Sequence, residues 1–328
     1  MSRLSAGSKS FYEYKGVKVR VISGVKWSGF ETFFHTFFAL VYARIFVHPK
    51  IVHLHGIGPG IFSWLARAFL FKTIVTYHSQ DFLRPKWSLL ARTLLKLGEQ
   101  ISCVCAHKVI CVSEAIKTDI DKRIPYLLSK RIVIRNAGSL ALNQSAEHSQ
   151  ILADMGLKPR TYLLAVGRIE ETKAFHELIA AYKLSKIPNF NLVIVGSDYT
   201  DSEYLKDLYS NASDNILFVG KRFDNELAAL YLNAKILINP SHMEGYCLVV
   251  AEALSAKLPV ILSDIPPHRE FKLPDLCFFK VGDIQMLAQT LLNHSNIESI
   301  CEEAFLLQQE NTWQSNAKKH LSLFSEFL

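Results

Sequence analysis

The sequence lacks the features that would tie the chain to a disulfide framework or to a membrane span. Its six cysteines form no Cys-x-x-Cys pair and no dense spacing, which excludes a disulfide scaffold and favours a reducing compartment. Residues 1–16 contain no apolar core, so they predict no signal peptide. The apolar stretch over residues 33–47 is too short to span a bilayer and is interrupted by His35 and Arg44. That stretch predicts a buried helix, and the chain is expected in the cytoplasm.

Acidic residues are scarce in the amino half. Residues 1–150 carry 21 lysine and arginine residues against 8 aspartate and glutamate residues, a balance of +13. The remaining residues carry 16 against 22, a balance of −6. This asymmetry indicates that the amino half faces an anionic surface or substrate. Because no basic repeat with interleaved aromatic residues is present, nucleic acid is not expected, whereas peripheral docking on an anionic membrane is.

The pattern of apolar runs predicts two α/β domains. With 328 residues, of which 49% are hydrophobic, the chain is long enough for two cores. The carboxyl half alternates short apolar runs with amphipathic stretches, which predicts βαβ units in a doubly wound parallel sheet. The amino half repeats this style. The sequence thus predicts two Rossmann-like domains facing a cleft.

The predicted boundaries place one domain at 1–150, a second at 151–305 and a carboxyl-terminal helix at 306–328, with a polar linker over 138–160. The predicted strands lie at 16–23, 51–56, 73–79, 108–113, 131–136, 161–167, 191–197, 215–220, 234–241, 259–264 and 276–281.

Two carboxylates flank a helix start in the segment EGYCLVVAE, which runs from Glu244 to Glu252. The segment follows a predicted strand, so Glu244 is expected in the strand-to-helix loop and Glu252 on the helix, broadly on the same side. Eight helical residues rise about 12 Å, which matches the reach of a sugar nucleotide. One carboxylate would bind ribose hydroxyls, the other a hexose, and the helix amides an anion. The spacing alone equally fits two solvent-facing glutamates.

Two cations follow another predicted strand in the segment GRIEETK. Arg168 comes directly after the strand, and Lys173 opens the next helix. Cations at the carboxyl end of a parallel strand suit a diphosphate, because arginine engages two oxygens at once. The alternative is a pair of surface cations that form ion pairs with Glu170 and Glu171.

Together, GRIEETK and SHMEGYCLVVAEALSAKLPVILSD resemble the retaining nucleotide-sugar glycosyltransferases of the GT-B fold, specifically glycosyltransferase family 4, and the resemblance covers nearly all of residues 50–328. It implies that the domain at 1–150 lies on the acceptor side, that the domain at 151–305 binds the donor, and that Arg168 and Lys173 hold the donor diphosphate. Glu252 would bind the ribose, and Glu244 would lie beside the transferred sugar. His78, in TYHSQDF, would contact that sugar near the anomeric carbon, although a structural histidine fits equally well. The implied donor-binding residues are Arg168, Lys173, Glu244, Gly245, Tyr246, Cys247, Leu248 and Glu252, and the implied catalytic residues are His78, Arg168, Lys173 and Glu244.

The sequence departs from the family pattern at two kinds of position. Cys247 and Lys257 stand where the family usually has glycines, which affects the geometry of the phosphate loop. The usual first strand and glycine-rich loop are expected to be missing, through a misassigned start or a real shortening of the amino domain. His53 and His55 have no evident third ligand, so no zinc site is predicted.

The expected function is transfer of a sugar from a nucleoside diphosphate to a saccharide hydroxyl, for example on a polyprenyl-diphosphate-linked acceptor in bacterial O-antigen or capsule assembly. The cationic residues make a metal or cofactor unnecessary in this interpretation. Two alternatives stay open: a nucleotide-sugar epimerase of similar fold, and a catalytically inactive, shortened partner subunit.

Overall fold

The computed structural model describes residues 2–3, 11–22, 31–84, 87–138, 147–197, 202–294, 297 and 301–328. Its contacts divide the chain into two compact units: unit 1 comprises Met1–Ile134 and Lys319–Leu328, and unit 2 comprises Arg135–Lys318. Helix α14 (Trp313–Ser325) runs from unit 2 into unit 1. The predicted division at 150/151 therefore falls inside unit 2. The predicted acceptor-side and donor-side roles stay predictions.

Unit 1 is built on a parallel sheet of four strands in the spatial order β4-β5-β6-β7. Its central strands are buried because their side chains are almost all apolar or small; Ile74, Val75 and Ile110 expose no surface. Ile134 and Leu323 complete this core. The elements are β4 (Ile51–His55), α2 (Ile57–Gly60), α3 (Ser63–Ala68), β5 (Lys72–Tyr77), α4 (Leu89–Cys105), β6 (Lys108–Cys111), α5 (Glu114–Arg123) and β7 (Arg131–Val133).

A separate three-stranded sheet precedes them. Strand β3 (Val17–Ile22) pairs in parallel with β1 (Ser2–Arg3) and antiparallel with β2 (Phe11–Tyr14). The turn between β2 and β3 has positive φ at both central residues, Lys15 and Gly16, as a two-residue hairpin requires. The strand predicted at 16–23 is thus confirmed for Val17–Ile22, and Ser23 lies outside the described residues. The missing first strand and glycine-rich loop stay a prediction.

The apolar stretch over residues 33–47 does not form the buried helix that the sequence predicts. Helix α1 (Glu31–Tyr42) continues into one π-helical turn (Ala43–Val47). Leu40 and Ala43 are buried, but Phe46 is 67% exposed and several other aromatic residues are also exposed. The prediction was wrong because apolar residues surround the helix, whereas only one face packs. No helix in the described ranges is both long and apolar enough to cross a membrane.

Unit 2 is built on a parallel sheet of six strands in the spatial order β10-β9-β8-β11-β12-β13. The predicted doubly wound parallel sheet is confirmed. The order of the strands reverses between β8 and β11, and open α/β sheets bind ligands at the carboxyl ends of the strands at such a switch point. The strands are β8 (Tyr162–Val166), β9 (Asn191–Val195), β10 (Ile216–Gly220), β11 (Ile236–Asn239), β12 (Val260–Ser263) and β13 (Phe278–Phe279).

Helices connect these strands as expected for βαβ units. The last strand is shorter than the predicted 276–281 because Asp275–Cys277 forms a 3-10 turn. The predicted linker contains helix α6 (Glu147–Asp154), while residues 139–146 lie outside the described part of the chain. The other helices are α7 (Phe175–Ser185), α8 (Glu203–Ser210), α9 (Asp224–Asn233), α10 (Leu248–Ser255), α11 (Pro266–Arg269), α12 (Ile284–Leu292) and α13 (Glu302–Glu310).

Candidate functional site

Two loops of unit 2 meet at the switch point of its sheet. The loop after β8 carries Lys173 at the end of a 3-10 turn, and the loop after β11 carries Glu244. Lys173 Nζ lies 2.5 Å from Glu244 Oε1, although the two residues are 71 positions apart. Their side chains are only 16% and 10% exposed. The structure thus joins two of the predicted site residues in a largely buried ion pair.

Further hydrogen bonds connect the loop after β11 with the loop after β8 and with helix α7. The His242 N–H donates to the Thr172 carbonyl at 2.9 Å, and His242 Nε2 lies 2.8 Å from Glu177 Oε1. These contacts restrain the position of one loop relative to the other, so the Lys173–Glu244 pair does not depend on a single flexible side chain. The sequence prediction missed His242 and Thr172, because neither shows a pattern that indicates its partner.

The ends of β8 and β9 also approach each other closely. Gly196 has a φ of +150°, and a Cβ at this position would lie 1.8 Å from the Gly167 carbonyl oxygen. Only glycine fits there. The close approach holds the start of the loop that carries Arg168 and Lys173.

The ionisation of Glu244 reflects burial and partners that act in opposite directions. Burial alone would raise the pKa of this carboxyl group. The positive charge of Lys173 and hydrogen bonds from Lys173 and Ser241 outweigh burial, so the pKa lies below its usual value. Glu244 is therefore an anion at neutral pH, and it holds the Lys173 ammonium at the sheet edge.

Arg168 has a different environment from Lys173. Its Nη2 lies 3.2 Å from Glu170 Oε1, and its side chain is 46% exposed. This is the contact that the surface-cation alternative predicts for Arg168. An exposed ion pair of this kind contributes little to stability, so the guanidinium can exchange Glu170 for another anion at small cost.

Glu252 lies on α10 and is oriented by a buried tyrosine. The Tyr231 hydroxyl, on α9, donates to Glu252 Oε2 at 2.9 Å. Burial raises the pKa of the Glu252 carboxyl group, and the hydrogen bond from Tyr231 opposes that effect. Helix α10 begins only at Leu248, so Glu244 precedes it and the eight-residue helical rise predicted between the two glutamates was wrong.

The residues between the two glutamates form a tight loop. Gly245, Tyr246 and Cys247 are buried, whereas Leu248 is exposed at the helix start. Tyr246 accepts a hydrogen bond from Asn311 Nδ2 at 2.7 Å. Cys247 has a φ of +69°, a left-handed conformation that costs a non-glycine residue on the order of 1–3 kcal/mol. The expected effect of a cysteine on loop geometry is therefore local strain.

Cys247 lies next to a histidine that the sequence prediction missed. Ligand atoms of Glu244, Cys247 and His268 all lie within 4.8 Å of one another. His268 is completely buried, and its Nδ1 donates to the Ser263 carbonyl at 2.8 Å. It follows the carboxyl end of β12, the neighbour of β11, and this strand-end position is the signal by which the sequence could have revealed it.

His78 belongs to unit 1 and directly follows β5, as predicted. Its Nε2 lies 3.1 Å from His55 Nδ1, and the two rings stack. His53 lies beside His55, with ring centroids 4.2 Å apart. The role of His78 at a donor sugar stays a prediction.

Two family models match the chain. The model described as Glycosyl transferases group 1 matches residues 151–320, and the model described as Glycosyltransferase Family 4 matches residues 4–137. The chain belongs to the group 1 glycosyl transferases. The first range contains Lys173, Glu244 and Glu252, and the second contains His78.

Individual relatives and a solved structure are also similar. CapM of Staphylococcus aureus, a capsular polysaccharide biosynthesis glycosyltransferase, is 28% identical over 64% of this chain and 57% of its own length. RfbU of Salmonella typhimurium, an O-antigen chain mannosyltransferase, is 30% identical over 61% of this chain and 54% of its own length. The chain therefore spans just over half the length of these curated relatives. HepE of Anabaena, in complex with UDP and glucose, has a TM-score of 0.78 at 16% identity, covering 94% of this chain and 87% of HepE. This likeness confirms the predicted GT-B fold class.

Proposed function

We propose that the protein transfers a sugar from a nucleoside-diphosphate donor to a hydroxyl group of a saccharide acceptor, with retention of the anomeric configuration. The observation that carries this proposal is the Lys173–Glu244 pair at the switch point of unit 2, 2.5 Å apart and ahead of the start of α10. A diphosphate at this edge would meet both an ammonium group and the amide end of a helix. Membership of the group 1 glycosyl transferases supports the same activity.

The leaving diphosphate is stabilised by cations in this proposal. Lys173 is held in place by Glu244, and Arg168 exchanges its exposed contact with Glu170 for a phosphate oxygen. Such preorganised charges act where negative charge develops in the transition state. The acceptor hydroxyl group gives its proton to the departing phosphate oxygen, so no protein nucleophile takes part.

The two glutamates bind different parts of the donor. Glu252, oriented by Tyr231, accepts hydrogen bonds from the ribose hydroxyl groups. Glu244 lies beside the transferred sugar, and the buried loop of Gly245, Tyr246 and Cys247 lines the space between them, with Leu248 at its end.

The acceptor in this proposal is a saccharide carried on a polyprenyl diphosphate, in the assembly of a bacterial capsule or O-antigen. The printed functions of CapM and RfbU support this class of product. A lipid-linked acceptor requires that the enzyme work at a membrane surface. Unit 1, with its excess of basic residues, is the part that would face that surface.

Helix α4 carries the surface features that such docking needs. Leu89 is 81% exposed, and Leu90, Leu94 and Leu97 are also exposed. Lys96 is exposed on the same helix. Exposed leucines beside a basic residue suit an anionic leaflet. Nearby basic residues contribute less to this surface, since Arg84 pairs with Asp81 and is mostly buried, Arg92 is half-buried, and Lys86 lies outside the described residues.

Calorimetric titration with UDP, GDP and ADP tests the donor site directly. One of these nucleotides should bind, and Lys173→Ala should weaken its binding strongly, because the diphosphate loses a charged partner. The matched control is Lys183→Ala, an exposed lysine on α7, the helix that follows Lys173. The proposal fails if none of the three nucleotides binds the protein, or if both variants bind the nucleotide as tightly as the unmodified chain does.

A further inference from the structure

We propose that Glu244, Cys247 and His268 form a site for a thiophilic divalent cation, with Zn²⁺ as the best match. Glu244 and Cys247 lie in the loop after β11 and His268 lies in α11, after β12, and their ligand atoms are already within 4.8 Å of one another. Ligands around a tetrahedral zinc lie about 3.5 Å apart, given bonds of about 2.0–2.3 Å. Small side-chain movements would therefore close the site.

His268 gives the strongest indication of a ligand. The side chain is fully buried, and its Nδ1 proton is committed to the Ser263 carbonyl at 2.8 Å. Nε2 therefore carries a lone pair, and it has no hydrogen-bond partner among the residues that the structure describes. Histidines that bind metals are oriented in this way, with one nitrogen donating to a carbonyl and the other facing the ion. Without a ligand, a buried acceptor that has no hydrogen-bond partner only destabilises the folded protein.

Cys247 and Glu244 supply the other two ligands. The Asn239 side-chain amide donates to Cys247 Sγ at 3.0 Å, a contact that would support a thiolate. Cys247 keeps its side chain in the site despite a left-handed backbone that glycine would adopt without strain. Thiolate, imidazole and carboxylate together select zinc-like ions over Mg²⁺. Three protein ligands leave a fourth position open to water.

Metal binding would release one proton and break the Lys173–Glu244 ion pair. The Cys247 thiol releases its proton to solvent, His268 binds as the neutral ring, and Glu244 moves from the Lys173 ammonium to the ion. Lys173 then loses its partner and faces a dication. This consequence rests on the proposed function: Zn²⁺ should inhibit sugar transfer, because Lys173 is no longer held in place for the diphosphate. EDTA should restore the activity.

Titration of the metal-free full chain with Co²⁺ tests the site without any assay of activity. One equivalent should bind and give the ultraviolet thiolate-to-Co²⁺ charge-transfer band, and Zn²⁺ should displace it. Cys247→Gly, which suits the positive φ, should abolish the band. His268→Gln should weaken Co²⁺ binding by about 100-fold or more, since even outer contacts of a metal site contribute about 10- to 100-fold.

The matched control removes the other buried thiols of unit 2. Cys277 and Cys301 have sulfurs 3.9 Å apart, so the double variant Cys277→Ala, Cys301→Ala should leave the Co²⁺ band unchanged. The proposal is overturned if no band forms, or if the band follows the control pair instead of Cys247. A band that depends on Cys247 in a protein that transfers no sugar would uphold the metal site and refute only the proposed function.

Discussion

Lys173 Nζ and Glu244 Oε1 lie 2.5 Å apart, each on a loop that follows one of the two strands at the switch point of unit 2. Both side chains are largely buried. Removing either partner of such a pair leaves the other charge without compensation in a place that water reaches poorly. Each residue therefore orients the other, and both should be sensitive to substitution.

Removing the cations should slow turnover. Lys173→Ala and Arg168→Ala should each lower kcat by roughly 10²–10³, because each removes preorganised positive charge from the leaving diphosphate. Steady-state kinetics with a saturating donor measures the effect, after circular dichroism has shown that each variant is folded. Lys183→Ala, the exposed control, should keep normal kcat. Near-normal turnover in both folded variants would remove these residues from the chemistry.

The two glutamates should affect different kinetic constants. Glu252→Ala should raise the donor KM by about 10- to 100-fold with little change in kcat, because contacts to the ribose are similar in the ground and transition states. Glu244→Ala should instead lower kcat, because it releases Lys173 beside the reacting sugar. Tyr231→Phe should reproduce a smaller version of the Glu252 effect, since it removes the hydroxyl that orients that carboxylate.

The control for this pair is Glu226→Ala, a carboxylate on α9 whose side chain is 46% exposed. It should change neither constant. If the Glu252 variant loses kcat and the Glu244 variant loses only donor affinity, the donor lies along α10 in the opposite direction to the one proposed.

Anionic vesicles should bind the protein through α4. Lys96→Glu should weaken binding roughly 10-fold or more, because each basic residue near an anionic surface contributes about 1 kcal/mol. Binding should also fall as salt rises, since surface charges are screened over about 10 Å at 0.1 M. Sedimentation with neutral and anionic vesicles measures both effects. Lys122→Glu makes the same change in net charge at an exposed position on a different helix, α5, and should bind almost normally.

A cluster of histidines should make unit 1 sensitive to acid. Burial, reinforced by the charges of His55, His320 and His78, lowers the pKa of His53 to about 3. An unfolded histidine has a pKa of about 6.5. Between that pH and the lower pKa of folded His53, the side chain is therefore protonated in the unfolded chain and neutral in the folded protein. The free energy of unfolding is therefore unaffected above about pH 6.5 and falls by about 1.4 kcal/mol per pH unit, for this one residue, as the pH drops towards 3.

Denaturant titrations at several pH values isolate that contribution. In a Trp313→Phe background the remaining tryptophans all belong to unit 1, so their fluorescence reports its unfolding. His53→Gln should flatten the pH dependence below pH 6.5, whereas His48→Asn, at an exposed position, should not. Identical pH profiles for the two variants would show that His53 is not the group responsible.

The strands of both sheets could be predicted because buried parallel strands are nearly continuous runs of valine, isoleucine and leucine. The same signal failed for residues 33–47, where apolar side chains all around α1 gave no indication of which face would pack. The antiparallel pairing of β2 with β3 was also missed, because β2 is short and largely exposed.

The candidate site was predictable where the loop that follows a strand carries a recognisable pattern, as in GRIEETK and EGYCLVVAE. Lys173 and Glu244 were found in this way, although nothing local indicated that they contact each other across 71 positions. Tyr231 was missed because its contact with Glu252 arises only from packing. His268, in α11 after the neighbouring strand β12, was missed because its position in the sequence does not indicate Glu244 and Cys247 as its neighbours. Contacts of this kind depend on the order of strands in the sheet.

The most direct test of sugar transfer is the release of nucleoside diphosphate from a panel of UDP-, GDP- and ADP-sugars, with and without a polyprenyl-diphosphate-linked saccharide. We expect one donor to be cleaved when the acceptor is present, with the sugar recovered on the acceptor and the reaction lost in Lys173→Ala. Conversion of a nucleotide sugar to its epimer without any acceptor would contradict the proposal. No release from any donor, by folded protein with a lipid-linked acceptor panel, would contradict it equally and favour an inactive partner subunit.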